Sequence, residues 1–148
     1  LRETGLAPAC LKLEITESTI VERTDAVVNR LRDLKALGVQ LAMDDFGTGY
    51  SSLSCVHRFP LDVLKIDRSF VKRMEADGEA CEVVSAIVGL AHNLGLDVVA
   101  EGVESPEQLA QLKVLGCEYG QGFLFSRPLQ SDDVRALIHQ EAERAAPK

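Results

Sequence analysis

Short apolar runs alternate with longer segments of helical periodicity along the whole chain. The apolar runs have the length of β-strands and fall at residues 11–15, 39–43, 61–66, 96–100 and 119–125. The longer segments predict helices at residues 24–37, 79–94, 105–116 and 131–140, and a short helix is predicted at residues 51–56. Three of the predicted helices end at Gly38, Gly95 and Gly116, each followed by an apolar residue that leads toward the next strand. The chain is therefore predicted to be one α/β domain over residues 1–140, followed by a polar tail at residues 141–148.

The alternation of strands and helices implies parallel strands joined by helical crossovers. Two architectures satisfy this rule, a doubly wound open sheet and a β/α barrel. No Gly-x-Gly-x-x-Gly sequence follows the first predicted strand, which disfavours a dinucleotide-binding doubly wound fold.

The side chains within each predicted strand favour the barrel. In the second strand Leu41 and Met43 lie on one face, whereas Gln40 and Asp44 lie on the other. The first four strands all have a polar face with a carboxylate near its end, and these carboxylates are Glu14, Asp44, Asp67 and Glu101. A doubly wound sheet buries both faces, whereas a barrel packs one face under helices and gathers the other around its axis. We therefore predict an incomplete TIM-like barrel of about five strands, with a site at the carboxyl ends of the strands.

The acids expected at this mouth indicate a metal site. They are Glu14, Asp44, Asp45, Asp67 and Glu101. Clustered carboxylates repel one another unless a cation neutralises them, and all-oxygen ligands favour Mg²⁺ or Mn²⁺. The adjacent pair Asp44 and Asp45 suits two metal ions, the usual device of phosphoryl chemistry. Lys65, on the strand face of Asp67, can orient a water or offset phosphate charge, although a plain Lys65–Asp67 salt bridge is the simpler interpretation.

Composition narrows the function classes further. The 148 residues carry a formal net charge of -7, with 46% hydrophobic and 26% charged residues. These proportions are typical of a globular domain, and the acidic balance disfavours sequence-independent DNA binding. No apolar run approaches the roughly 18 residues of a membrane span. No predicted strand ends in a histidine, and the four cysteines form no Cys-x-x-Cys pair, so a zinc or redox motif is not indicated.

Five ordered motifs resemble those of the EAL-domain family of cyclic-di-GMP phosphodiesterases. The motifs are Glu14-Ile-Thr-Glu17-Ser18, Asp44-Asp45-Phe-Gly-Thr-Gly-Tyr-Ser-Ser-Leu53, Leu64-Lys65-Ile66-Asp67, Ala100-Glu101-Gly102-Val103-Glu104 and Gln121-Gly122-Phe-Leu-Phe-Ser-Arg-Pro128. The resemblance covers nearly the whole chain. It implies a β/α barrel that linearises cyclic-di-GMP to pGpG with two Mg²⁺ or Mn²⁺ ions.

The resemblance also implies a role for each matched residue. The metal ligands it implies are Glu14, Asp44, Asp45 and Glu101. The residues it implies around the reacting phosphate are Lys65, which helps position or activate the attacking water, Asp67 and Gln121. It implies that Glu17 pins the loop at residues 46–52, and that this loop and the helix after Asp45 form a homodimer contact.

The resemblance places the Glu-Ala-Leu motif and a following Asn, both metal ligands, upstream of this sequence. A full barrel has roughly 250 residues, so we expect the isolated chain to be inactive and the activity to belong to a parent domain. That parent is expected to be cytoplasmic or membrane-anchored through another segment, and fused to sensor or GGDEF-type domains. Two alternatives stay open, a catalytically degenerate cyclic-di-GMP receptor and a structural or dimerisation module.

Overall fold

The computed structural model describes residues 1–16, 25–48, 53–75 and 78–145; the side chains of residues 53–55 and 141–145 are outside this description. The strands are β1 (Lys12–Thr16), β2 (Gln40–Phe46), β3 (Val63–Ile66), β4 (Asp97–Glu101) and β5 (Tyr119–Gln121). The helices are α1 (Asp25–Ala36), α2 (Leu53–Arg58), α3 (Arg68–Arg73), α4 (Gly78–Asn93), α5 (Pro106–Val114) and α6 (Ser131–Ala145). A 3-10 helix, Pro8–Cys10, precedes β1.

The five strands form one parallel sheet in which each strand pairs with the next one along the chain, in the order β1-β2-β3-β4-β5. A doubly wound sheet reverses direction at a switch point, so its neighbours are not all consecutive. The consecutive order is that of a barrel wall, which confirms the predicted fold class.

The sheet is curled, because groups on its two outer strands meet. The ammonium of Lys12 on β1 lies 5.9 Å from the centre of the Tyr119 ring on β5. In a flat sheet the four spacings between these strands would separate them by on the order of 19 Å. The inner face of the sheet therefore forms a concave wall, as in part of a barrel.

The outer face of this wall carries the core. All four residues of β3, the central strand, are buried. Fully buried apolar side chains stand on the outer faces of the three middle strands, among them Met43, Leu64 and Val98. Because Met43 and Val98 are the register partners of Leu64, these side chains form one apolar row under the helices.

Two carboxylates connect helices to strands at the amino-terminal ends of the strands, away from the ends where the site is predicted. Asp62, just before β3, accepts hydrogen bonds from a backbone N–H of β2 at 2.8 Å and from Lys35 Nζ at 2.6 and 2.7 Å. Glu118, just before β5, accepts one from a backbone N–H of β4 at 2.8 Å, and His92 Nε2 lies 2.8 Å from it. Each carboxylate thus joins the end of a helix to the strand that follows that helix. The two ties leave the carboxyl ends of the strands free for chemistry.

The structure differs from the sequence prediction in four elements. Helix α3 was not predicted, and β5 is three residues long rather than seven. Helix α6 reaches Ala145, so the first five residues of the segment predicted as a polar tail are helical. The 3-10 helix at Pro8–Cys10 was also not predicted. In the part of the chain that the structure describes, no helix combines the length and apolarity needed to cross a membrane.

Candidate metal centre at the carboxyl ends of the strands

A single buried lysine gathers the acids of three strands. Lys65, on β3, is 5% exposed. Its Nζ lies 2.8 Å from Glu14 Oε1 of β1, 2.9 Å from Asp44 Oδ1 of β2 and 2.6 Å from Glu101 Oε1 of β4. Three of the acids predicted to converge therefore do so. The Lys65–Asp67 salt bridge is not among the ion pairs of the described residues.

The charge state of Lys65 follows from these neighbours. Burial by itself lowers the pKa of Lys65, but the carboxylates of Glu101, Glu14 and Asp44 outweigh burial and raise the pKa above its ordinary value. The side chain is therefore an ammonium at neutral pH. One positive charge faces three carboxylates, so this group has an excess of negative charge that suits a further cation.

Asp45 reaches the same place through a bulge in β2. Between Met43 and Phe46 the strand advances three residues while β3 advances two, from Leu64 to Ile66. The extra residue interrupts the strict alternation of side chains. Asp45 has a φ of 55°, the left-handed region, and is the one non-glycine residue with positive φ in the described ranges. Neighbouring residues of a regular strand point to opposite faces, whereas the bulge lets Asp44 and Asp45 share one.

Asp44, Asp45 and Glu101 form a group that fits a divalent metal ion. One carboxylate oxygen from each of the three lies within 4.8 Å of the other two, and all three residues are half-buried. Apart from its ion pair with Lys65, the buried Oδ1 of Asp44 receives no hydrogen bond from the described residues. Three hard oxygen donors that carry an excess of negative charge suit Mg²⁺, Mn²⁺ or Ca²⁺. Glu14 lies beyond this group and meets it through Lys65, so its role as a ligand stays a prediction.

The remaining predicted site residues take different places. Asp67 lies at the start of α3, where its carboxylate accepts a hydrogen bond from the Ser69 N–H at 2.9 Å. Burial alone raises the pKa of Asp67, but the bonds to Ser69 outweigh it and lower the pKa. Gln121 is exposed and is the register partner of Glu101. Glu17 lies outside the described residues.

One glycine beside the site is required by its backbone contacts. A Cβ on Gly122 would lie 2.1 Å from the carbonyl oxygen of Val103, so no larger residue fits there without a shift. Val103 also donates its N–H to the Gln121 carbonyl at 3.0 Å. These contacts dock the loop after β4 on the loop after β5, and the signal for them in the sequence is the motif that begins at Gln121-Gly122.

Comparison with known proteins agrees with this architecture. The family model described as EAL domain matches residues 1–128. The chain is 46% identical over 147 residues to the cyclic di-GMP phosphodiesterase NbdA of Pseudomonas aeruginosa. The aligned region covers 99% of this chain and 19% of NbdA. It therefore spans about one fifth of the length of that relative.

Two solved structures of ligand complexes have a fold similar to that of this chain. The structure of PaMucR phosphodiesterase in a c-di-GMP complex superposes with a TM-score of 0.85 at 46% identity, over 90% of this chain and 54% of that one. Klebsiella pneumoniae BlrP1, in a manganese and cy-diGMP complex, superposes with a TM-score of 0.80 at 40% identity, over 86% of this chain and 33% of that one. Since the family model spans 128 of the 148 residues, the chain belongs to the EAL domain family.

Proposed function

We propose that this chain is the C-terminal part of a metal-dependent phosphodiesterase domain that hydrolyses cyclic-di-GMP to linear pGpG in bacterial second-messenger signalling. The observation that carries the proposal is the meeting of Asp44, Asp45 and Glu101 beside the buried Lys65. These carboxylates alone would repel a dinucleotide phosphate, whereas with divalent ions between them they would attract it. The phosphodiesterase names of NbdA and PaMucR support the same activity.

The donor set supports a two-metal site for Mg²⁺ or Mn²⁺, with Glu14, Asp44, Asp45 and Glu101 as ligands. When bound, such ions stabilise the charge of an in-line displacement at phosphorus and supply a nucleophile at neutral pH. The manganese in the BlrP1 structure supports this choice of ion. Both Asp44 and Asp45 serve the site because the bulge brings them to one face.

The other residues orient groups of the site and balance its charge. Lys65 holds its proton, so it acts as a fixed positive charge whose three N–H donors align three carboxylates. Its charge helps position the attacking water and offsets charge on a phosphate oxygen. Gln121, which is exposed and is the register partner of Glu101, is proposed to contact the substrate and the attacking water. Asp67 contributes by fixing the start of α3 directly after the Lys65 strand. Glu17 is proposed to pin the loop at residues 46–52.

The wider setting is also a proposal. The relatives are several times longer than this chain, which supports a parent protein with further domains, such as sensor or GGDEF-type domains. We propose a cytoplasmic catalytic domain that forms a homodimer through the loop after Asp45 and helix α2. The upstream strands would bring the remaining metal ligands, so the isolated chain is expected to be inactive.

The test is hydrolysis by the complete EAL domain of the parent protein, with Glu101→Ala and a matched control. Glu101→Ala removes a proposed metal ligand and is expected to abolish pGpG formation in Mn²⁺. Glu107→Ala removes an exposed glutamate in the first turn of α5, away from the acid cluster, and should leave the rate unchanged. Undiminished hydrolysis by Glu101→Ala would show that the proposed metal group is not the site of reaction.

A further inference from the structure

Gln108 is a buried polar side chain that the acid cluster does not use. Among the described residues two polar or charged side chains are buried, Lys65 and Gln108, and each is 5% exposed. Lys65 is explained by its three carboxylates. Gln108 stands in the first turn of α5, and a buried amide there needs partners of its own.

The side chain of Gln108 binds two consecutive peptides. Its Oε1 accepts hydrogen bonds from the backbone N–H of Glu104 at 2.7 Å and of Ser105 at 3.2 Å. A capping box requires only the bond to Ser105, the N-cap residue. The shorter bond, to Glu104, reaches one residue further toward Glu101, so Gln108 does more than begin a helix.

The segment between Glu101 and α5 depends on such bonds, because its first residue is a glycine. Gly102 has a φ of +70°, and a Cβ there would lie 2.5 Å from Arg68 Cβ. Glycine must occupy this position, and glycine also leaves the backbone beside Glu101 intrinsically free to rotate. The position of the Glu101 carboxylate, at the end of β4, therefore depends also on what holds the residues that follow it.

Two anchors hold the segment from opposite sides. On the β5 side, Val103 donates to the Gln121 carbonyl at 3.0 Å and accepts from the Leu124 N–H at 3.0 Å. On the α5 side, the two bonds to Gln108 Oε1 hold the next two peptides. The hydroxyl of Ser105 also donates to Glu75, which ties this anchor to the turn after α3.

We propose that Gln108 is a positioning residue for the metal centre: by holding the peptides of Glu104 and Ser105, it fixes Glu101 in the group with Asp44 and Asp45. The inference rests on the proposed function, since it gives Glu101 the role of a metal ligand. Groups that orient metal ligands from behind commonly change metal affinity by about 10- to 100-fold when they are removed.

The test uses the complete EAL domain of the parent protein with Mn²⁺ as the probe and compares identical substitutions at two glutamines of α5. Gln108→Met keeps the size of the side chain and removes its acceptor. Gln111→Met is the matched control, because the buried Oε1 of Gln111 has no hydrogen-bond partner among the described residues. Gln108→Glu keeps an acceptor that an N-terminal helical turn favours and should restore the wild-type behaviour.

Two readouts are measured, Mn²⁺ affinity by electron paramagnetic resonance titration and hydrogen exchange of single amides without metal. In Gln108→Met the amides of Glu104 and Ser105 are expected to exchange at least about tenfold faster and Mn²⁺ affinity to fall about tenfold. Gln111→Met should change neither quantity. If Gln108→Met does not fold, Gln108→Asn gives the same comparison, because its shorter side chain cannot bridge both amides.

The possible results distinguish a failure of the positioning role of Gln108 from a failure of the proposed function. Faster exchange with unchanged Mn²⁺ affinity would make Gln108 a helix cap only and overturn the proposal. Equal losses of affinity in Gln108→Met and Gln111→Met would point to general loosening of α5 and overturn it as well. A complete wild-type domain that binds no Mn²⁺ would refute the proposed metal centre itself, and the positioning role would be refuted with it.

Discussion

The left-handed backbone of Asp45 predicts that stability and metal binding respond differently to substitution at this one position. Asp45 sits at φ 55° in the bulge of β2, and its carbonyl accepts a hydrogen bond from the Thr48 hydroxyl at 2.9 Å. An ordinary L-residue in this conformation costs about 1–2 kcal/mol, which glycine avoids and asparagine and aspartate partly avoid. The carboxylate, in contrast, matters only for the acid cluster.

Three substitutions at Asp45 separate the contribution of the backbone conformation from that of the carboxylate. Asp45→Gly is expected to be more stable than Asp45→Ala by about 1 kcal/mol, the strain of alanine less the entropy that glycine loses on folding. That difference corresponds to about 3 °C in melting temperature for a chain of this size. Asp45→Asn should melt near the wild type or above it, because it keeps the backbone preference and relieves repulsion between carboxylates. All three should lose most of the Mn²⁺ affinity, since each removes the same ligand.

The assay is thermal unfolding of the four proteins with and without Mn²⁺. The expected order of stability without metal is Asp45→Gly above Asp45→Ala, with a stabilising Mn²⁺ shift in the wild type alone. Asp45→Ala as stable as Asp45→Gly would refute the bulge conformation. A wild-type Mn²⁺ shift in Asp45→Asn would refute the carboxylate as a ligand.

Three further predictions follow from the ion pairs. Lys65→Met should lower the free energy of unfolding of the metal-free chain by about 3 kcal/mol, because three carboxylates lose their buried counterion. Mn²⁺ should raise the melting temperature of this variant more than that of the wild type. Equal melting-temperature shifts would contradict this prediction. Burial alone raises the pKa of Glu118, but bonds from a β4 backbone N–H and His92 outweigh it and lower the pKa below the ordinary 4.5. The stability that this carboxylate contributes is thus present above that value and is lost as the pH falls through the lowered pKa. The melting-temperature difference between wild type and Glu118→Gln should therefore be present at pH 7 and disappear on acidification below 4.5. A difference independent of pH would contradict this role. Asp62→Ala should lower the free energy of unfolding in urea by about 1–3 kcal/mol, because a backbone N–H of β2 loses its acceptor. Lys35→Ala should lower it by less than about 1 kcal/mol. Equal losses in the two variants would assign the effect to the ion pair instead.

The convergence of the acids could be predicted from the sequence because parallel strands share one direction. A carboxylate on the polar face near the end of each strand must lie at the same edge as the others, whatever the helices between them do. Lys65 obeys the same rule, since it stands on the polar face of β3. The structure places its Nζ within 3 Å of Glu14, Asp44 and Glu101, at 2.8, 2.9 and 2.6 Å.

The bulge escaped the prediction although the sequence contains a signal for it. Strict alternation from Leu41 and Met43 would put Asp45 on the apolar face and Phe46 on the polar face. An acid and an aromatic residue in exchanged positions indicate one extra residue in the strand, and Phe46 is indeed buried. Because two adjacent acids also suit a pair of metal ions, the sequence alone does not distinguish ligands in a regular strand from a change of phase.

Helix α3 was missed for a different reason. With six residues it is too short for its periodicity to stand out. The pattern of Asp67 followed by Arg68 and Ser69 matches a helix cap, but an acid at the end of a strand equally predicts a site residue. The hydrogen bond from the Ser105 hydroxyl to Glu75 joins residues 30 positions apart in the sequence, so it depends on tertiary packing and has no local signal.

The most direct test of the central claim is hydrolysis of cyclic-di-GMP in Mn²⁺, followed by separation of the nucleotide products. It is run on this chain and on the complete EAL domain of its parent protein. The account predicts that the complete domain forms pGpG and that the chain alone does not, because the remaining ligands of the metal centre come from upstream strands. A complete domain that binds cyclic-di-GMP in Mn²⁺ without cutting it would contradict the account, and the carboxylates around Lys65 would then belong to a receptor.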